Sequence, residues 1–265
     1  MKPVITLVIC VIAGQLCASH LPFVSAKRQP YQPYQQAMAS ALKKAKFPKF
    51  LENYRSTPSS LSVAFEQINF DDVPEIASYD ALLDLFYYVR DTRFLSDIDA
   101  PDFPRRISWL YPDDGCFARA ALVELILHDK TQVSPAKIFA FGDLTVQTPY
   151  SMYGEVSWWY HVAPIVAFQN NYYVIDPAIE PHHPMLVEDW FAAMNADSLE
   201  DIEGVVCRPQ TYNPSDDCLE PDNSEQQGLE DENRYLNYEW FRMVNLGYDP
   251  QMILGEIPPW GHVNR

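Results

Sequence analysis

The sequence predicts an α+β fold in which a helix bearing a thiol packs on an antiparallel sheet bearing a histidine. Three observations carry that expectation. Tyr111-Pro112-Asp113-Asp114-Gly115-Cys116 is a polar turn entering the helical stretch Phe117 to His128. Tyr160 to Phe168 and Tyr172 to Ile175 are apolar, strand-like runs separated by Gln169-Asn170-Asn171, a hairpin signal. With 265 residues, 48% hydrophobic and 14% aromatic, the chain can bury one good core, or a core plus a small appendage.

The elements follow in order. Lys2 precedes the apolar run Val4 to Leu16, which is too short for a comfortable membrane span and is followed by small residues. Residues 1–26 are therefore expected to be a signal peptide, cleaved after Ala18 or Ala26. Gly14-Gln15-Leu16 is a poor context for a lipid anchor on Cys17. The mature protein is expected outside the cytoplasm, extracellular or periplasmic, with no membrane association after signal removal. Gln35 to Lys46 has a helical pattern, and Pro48 to Ser60 reads as linker. Ser78 is a candidate N-cap for a helix over Asp80 to Val89. Prolines 101, 104 and 112 mark loops leading to Cys116. The next helix carries Ala118, Ala121, Leu122 and Leu125 on one face, and strands are expected at Lys137–Phe141, Tyr160–Phe168 and Tyr172–Ile175. Val187 to Asn195 looks helical, and the acid-rich Ser215 to Asn233, with no Lys or Arg, reads as a solvated loop.

Charge is unevenly spread over a net of −17. Lys27 to Thr57 holds seven Lys or Arg against the single acid Glu52, whereas the rest of the mature chain is strongly anionic. A cationic leader on an anionic body suggests a segment that docks on its own domain, because tethering gives a high effective concentration. The bland alternative is a solvated basic arm. An anionic body argues against nucleic-acid or anionic-membrane partners.

Cys10 and Cys17 fall in the signal region, leaving Cys116, Cys207 and Cys218. Cys207 and Cys218 flank a Pro/Asn/Asp-rich loop and are the natural disulfide pair, which leaves Cys116 as an unpaired thiol in an oxidising compartment. At the first turn of a helix it would meet unpaired N–H groups and the positive dipole end, both favouring thiolate. The polar Asp113-Asp114-Gly115 approach argues against its full burial. His161, in Trp158-Trp159-Tyr160-His161-Val162-Ala163, and Asp176, in Tyr173-Val174-Ile175-Asp176-Pro177, complete the parts of a thiol acyl-transfer site. A helix with the thiol before a sheet with the histidine is the layout of papain-like and transglutaminase-like thiol hydrolases.

Spacing alone does not bring the parts together. A two-residue turn at Asn170-Asn171 sets Asp176 opposite Ile165, four residues from His161, or about 13 Å at ~3.3 Å per residue. Pro164 is a candidate irregularity, since proline does not sit in a regular central ladder. Arg119 is expected to pair with Asp113 or Asp114. No set of His, Cys, Asp and Glu has metal-ligand spacing, the adjacent His182-His183 included, and no cofactor is expected.

Four motifs in order carry a resemblance. Tyr111-Pro112-x-Asp114-Gly115-Cys116-x-Ala118-Arg119-Ala120, Phe139-x-Phe141-Gly142-x-Leu144, Trp158-x-Tyr160-His161-Val162-Ala163 and Ile175-Asp176-Pro177 look like those of the secreted bacterial protein-glutaminases. The likeness runs from about Val73 to Pro177. It implies deamidation of glutamine side chains in intact proteins, with Cys116 as nucleophile, His161 as general base and acid, and Asp176 as the orienting carboxylate. The Cys116 backbone N–H is a candidate oxyanion donor. Trp158, Trp159 and Tyr160 are candidates to line a slot for the aliphatic part of the glutamine, with core packing as the alternative. The family also implies an inhibitory pro-segment, here 27–69, before a catalytic region 70–265. Phe47, Phe50 and Leu51 would supply most of its retention. Partners would be proteins or peptides with exposed glutamine and the chain's own pro-segment, and the enzyme itself would be a monomer. The same triad would also serve a thiol peptidase or a transglutaminase-like acyltransferase, and a non-catalytic secreted binding module is the third reading.

Overall fold

The structure, a computed structural model, describes residues 24–44, 61–97, 100–194, 202–214, 218 and 224–261. The expected signal core, the linker Pro48–Ser60 and Phe47, Phe50 and Leu51 lie outside them. In chain order the elements are β1 (Lys27–Arg28), α1 (Tyr34–Lys44), β2 (Val63–Ala64), α2 (Tyr79–Asp91), β3 (Leu95–Asp97), β4 (Ala100–Arg105), α3 (Cys116–Thr131) and β5 (Ala136–Gln147). They continue with β6 (Glu155–Phe168), β7 (Asn171–Val174), β8 (Met185–Leu186), α4 (Val187–Met194), β9 (Glu203–Cys207), α5 (Ser224–Asn245) and α6 (Pro250–Ile253). The main sheet runs β2-β9-β5-β6-β7-β8, every pairing antiparallel, with β1 added to β6.

β5 and β6 are the long central strands because their apolar residues fall on both faces, each of which is covered. Ile138, Phe139, Ala140, Phe141, Val162, Ala163 and Ile165 are all buried. The α+β expectation holds: the Cys116 helix α3 packs on β6.

The hairpin after β6 turns one residue earlier than the sequence suggests. Gln169 and Asn170 both have positive φ, 49° and 62°, so they form the two-residue turn. Phe168 then pairs with Asn171 and Ile165 with Val174. Continued past β7, this register sets Asp176 opposite Ala163, two residues from His161 rather than four, or about 7 Å. Pro164 is not the irregularity; it stands in register with Lys137. Its carbonyl accepts the Ile175 N–H at 2.9 Å, just past the end of β7, so the missing proline N–H falls where that ladder stops. The register shift lies instead in β5, between Phe141 and Leu144.

Two other expectations change. Pro101 and Pro104 sit in β4, where a two-stranded ribbon with β3 leaves one edge without ladder demands. The acid-rich stretch read as a solvated loop extends into α5, a 22-residue helix. Its acids Asp231, Glu232 and Glu239 are buried because they have donors to meet. Glu232 Oε1 accepts the Ser108 N–H at 2.6 Å, Glu239 Oε1 accepts the Leu110 N–H at 2.8 Å, and Arg105 donates to Glu239 Oε2 at 2.5 Å. These bonds hold the 105–110 segment that leads to Cys116. α5 can approach α3 closely because residue 228 is glycine: a Cβ there would come within 2.9 Å of the Ala121 side chain. The Cys207–Cys218 disulfide is present, tying the end of β9 to the loop beyond it.

Candidate active site

Cys116 opens α3 directly after Gly115, where φ is +86° and an added Cβ would come within 2.7 Å of the Tyr235 ring, leaving no room for a side chain. The thiol is buried, with 2% of its surface exposed, and Asp113 and Asp114 are buried beside it, contrary to the expected open approach. The Val162 backbone N–H hydrogen-bonds the Cys116 sulfur, which sets the sulfur beside the residue that follows His161. Burial pushes the Cys116 thiol up to about 12, with the Arg119 charge opposing and Asp114 adding to the rise. A helix N-terminus stabilises an anion by roughly 0.3–1 kcal/mol when exposed, too little to offset desolvation of a buried thiolate. In this state Cys116 is a thiol. Arg119 makes no ion-pair contact with Asp113 or Asp114. Its Nη1 donates to the carbonyls of Tyr111 at 3.1 Å and Asp114 at 2.7 Å, bracing the turn.

His161 and Asp176 do meet. His161 Nε2 lies 2.7 Å from Asp176 Oδ2, and both side chains are buried. The Trp190 indole N–H donates to the same oxygen at 3.0 Å, and the Ala178 N–H reaches Oδ1 at 3.3 Å. Burial raises the Asp176 carboxyl, but the charge and hydrogen bond of His161 and the Trp190 donor outweigh it, leaving it below the ordinary carboxylate value. A carboxylate so placed keeps the proton on Nε2. His161 Nδ1 is buried with no hydrogen-bond partner among the described residues, so it is the nitrogen available to exchange a proton with a thiol.

The three aromatic candidates divide. Trp158 stacks on the His161 ring at 4.5 Å, and its indole N–H donates to the Pro112 carbonyl at 2.9 Å, fastening the turn before Cys116 to β6. Trp159 and Tyr160 are buried against the start of the described chain. The Trp159 indole N–H donates to the Ser25 carbonyl at 2.7 Å, and the Tyr160 hydroxyl donates to the Val24 carbonyl at 2.9 Å. Residues 24–28 thus run across the turn preceding Cys116 and along β6, pairing Lys27 with Trp158 and Arg28 with Ser157.

Asp114 holds this segment from the other side. It accepts the Ser25 hydroxyl at 2.5 Å and the Ala26 N–H at 3.0 Å. Burial raises the Asp114 carboxyl, opposed by the Ser25, Ala26 and Gly115 hydrogen bonds and the Arg119 charge. Lys27 reaches Asp113 at 3.1 Å, and Arg242 of α5 grips the same carboxylate at 2.6 and 2.9 Å. Sequence reasoning missed Trp190, Arg242, the Val162 N–H and the Val24–Ala26 contacts. No periodicity or spacing marks a tryptophan in a short helix as the partner of a carboxylate fourteen residues away.

Residues 82–194 match the family model described as Glutaminase. No curated protein matches the chain. Among solved structures, a protein-glutaminase crystal structure is 26% identical, covers 59% of this chain and 84% of its own, and has a TM-score of 0.44. The A47Q2 mutant of pro-protein-glutaminase is 21% identical over 71% of this chain and 68% of its own, with a TM-score of 0.50. The protein-glutaminase from Chryseobacterium proteolyticum is 22% identical over 72% and 95%, with a TM-score of 0.44. The family match covers α3, β5, β6 and Asp176, and the fold is similar to that of the pro-protein-glutaminase mutant.

Proposed function

We propose that this chain hydrolyses the side-chain amide of protein-bound glutamine, releasing ammonia through a thioester on Cys116. The observation that carries this reading is the buried His161–Asp176 pair at 2.7 Å, with His161 Nδ1 free of partners among the described residues and the Cys116 sulfur on the next backbone N–H. The Cys116 thiol passes its proton to His161 and attacks the carboxamide carbon. His161, now an imidazolium stabilised by Asp176, protonates the departing ammonia. As a neutral base it then takes a proton from water, which opens the thioester to glutamate and restores the thiol.

The N-terminal segment keeps the enzyme inactive as a pro-segment. Its contacts with Asp114, Trp159 and Tyr160, and the burial of Cys116, support this reading. The burial of Val24 and Ala26 favours signal cleavage after Ala18, since cleavage after Ala26 would remove those contacts. β2 pairs with β9 in the main sheet, which favours trimming before residue 61 over trimming near 69. The test is ammonia release from a glutamine-containing protein, with peptide-bond cleavage assayed in parallel. Protein nicked before residue 61 should release ammonia at many times the rate of intact chain, and Cys116→Ala should release none. Activity retained in Cys116→Ala, or peptide cleavage without ammonia, overturns the reading.

A further inference from the structure

β6 is paired on one side with β5 along most of its length, and with β7 on the other side only from Ile165 to Phe168. Its remaining edge, near Ser157 and Trp158, is taken by β1. Leader docking is therefore a strand addition to an edge the sheet itself leaves open. The Ala26 peptide unit is held at both ends: its N–H donates to Asp114 Oδ1 at 3.0 Å, and its carbonyl accepts the Trp159 N–H at 3.1 Å. The bond to Asp114 is the unusual one. A buried carboxylate, not a neighbouring strand, accepts a main-chain N–H from a segment that must leave before any substrate can enter.

Two oxygens of Asp114 face this segment, and they have few donors of their own. Oδ1 accepts the Gly115 N–H at 2.9 Å within its own turn, and Oδ2 accepts only from Ser25 among the described residues. When the leader departs, Asp114 loses the Ser25 and Ala26 donors together. A buried carboxylate near Tyr160, bonded within its own turn by Gly115, then needs new donors, and an incoming extended polypeptide offers a backbone N–H at the same place.

We propose that Asp114 is a substrate-positioning residue: it accepts a backbone N–H of the substrate chain while the Trp159 N–H donates to the adjacent carbonyl, so that the enzyme takes glutamine in extended segments added to the edge of β6. This rests on the deamidase reading above and gives that site its substrate class. Free glutamine lacks the flanking peptide units, and a helical segment has its N–H groups already bonded, so both should be poor substrates.

The test uses protein folded at full length and then nicked before residue 61. Ammonia release is measured from an unstructured glutamine peptide and from a series in which one backbone amide near the glutamine is replaced by an ester, which removes an N–H and keeps the shape. One position in the series should lower kcat/KM about tenfold or more, chiefly through KM. In Asp114→Asn the penalty at that position alone should shrink, because the asparagine amide can donate to the ester oxygen. An ester scan that shows no position-specific loss, or a loss equal in wild type and Asp114→Asn, overturns the anchor while leaving deamidation standing. No ammonia from the unmodified peptide overturns deamidation and the anchor together.

Discussion

Cys116 owes its protonated state to the same burial that shields it. Iodoacetamide should alkylate the intact chain more slowly than a model thiol at pH 7, and nicking before residue 61 should speed the reaction. The sign of the pH dependence follows from the raised pKa. A thiol lifted from its ordinary 9.0 to about 12 contributes full stability to the docked form below pH 9 and loses it as pH rises toward 12. Alkylation of the intact chain should therefore climb more steeply above pH 9 than thiol titration alone explains; a curve that tracks simple titration argues that docking does not bury this group. At Asp176 the shift runs the other way. Its contribution to stability is present above the ordinary value of 3.8 and is lost as pH falls. Asp176→Asn should lower kcat roughly 10²- to 10⁴-fold, because an amide can hold the wrong imidazole tautomer. Trp190→Phe removes one donor to the same oxygen and should cost far less, and kcat for the two variants separates orientation from packing. These side chains were legible as residue types in a plausible order, but their contact was not. The turn at Gln169-Asn170 moves Asp176 two residues closer to His161, and neighbouring asparagines give little basis for choosing that register over the next.

At the scale of elements, the leader and α5 meet at the turn before Cys116, where Lys27 and Arg242 share the Asp113 carboxylate. Within the leader, Arg28 is 8% exposed, pairs with the exposed Asp143 at 3.0 Å and also bonds the Gln32 and Leu144 carbonyls and the Thr145 hydroxyl, whereas Lys27 is 43% exposed and pairs with Asp113. Exposed ion pairs contribute about 0–1 kcal/mol, so Arg28→Ala should raise the ammonia release of intact chain clearly more than Lys27→Ala. Equal effects would mean that net charge, not the buried contacts, holds the leader. On α5, Glu239 is buried and its carboxyl is raised by that burial despite Arg105. Glu239→Ala leaves Arg105 buried without this partner and strips the Leu110 N–H of its acceptor, so the denaturation midpoint should fall by an amount equivalent to about 3–5 kcal/mol. α2 and α3 could be read from caps and apolar spacing. α5 could not, because an acid-rich run reads as solvated until the buried donors of another segment are known.

Over the whole molecule, the charge contrast between Lys27–Thr57 and the residues after it is legible from composition, but the contacts that use it are not. The described leader docks through a few buried hydrogen bonds and through Ala37, Ala41 and Leu42 of α1. Among the described residues the cysteines are Cys116, Cys207 and Cys218, and the last two are bonded. Three thiols allow three pairings, two of which consume Cys116. A thiol pushed up to about 12 is almost wholly un-ionised at neutral pH, and disulfide exchange proceeds through thiolate. As the pro-segment proposed above, the leader would serve as a protecting group in the synthetic chemist's sense. It would mask one of three identical functional groups while the other two are oxidised, and would be removed once that step is complete. Refolding from the reduced state should give the Cys207–Cys218 bond in high yield from the full chain and a mixture of the three pairings from a chain that begins at residue 61.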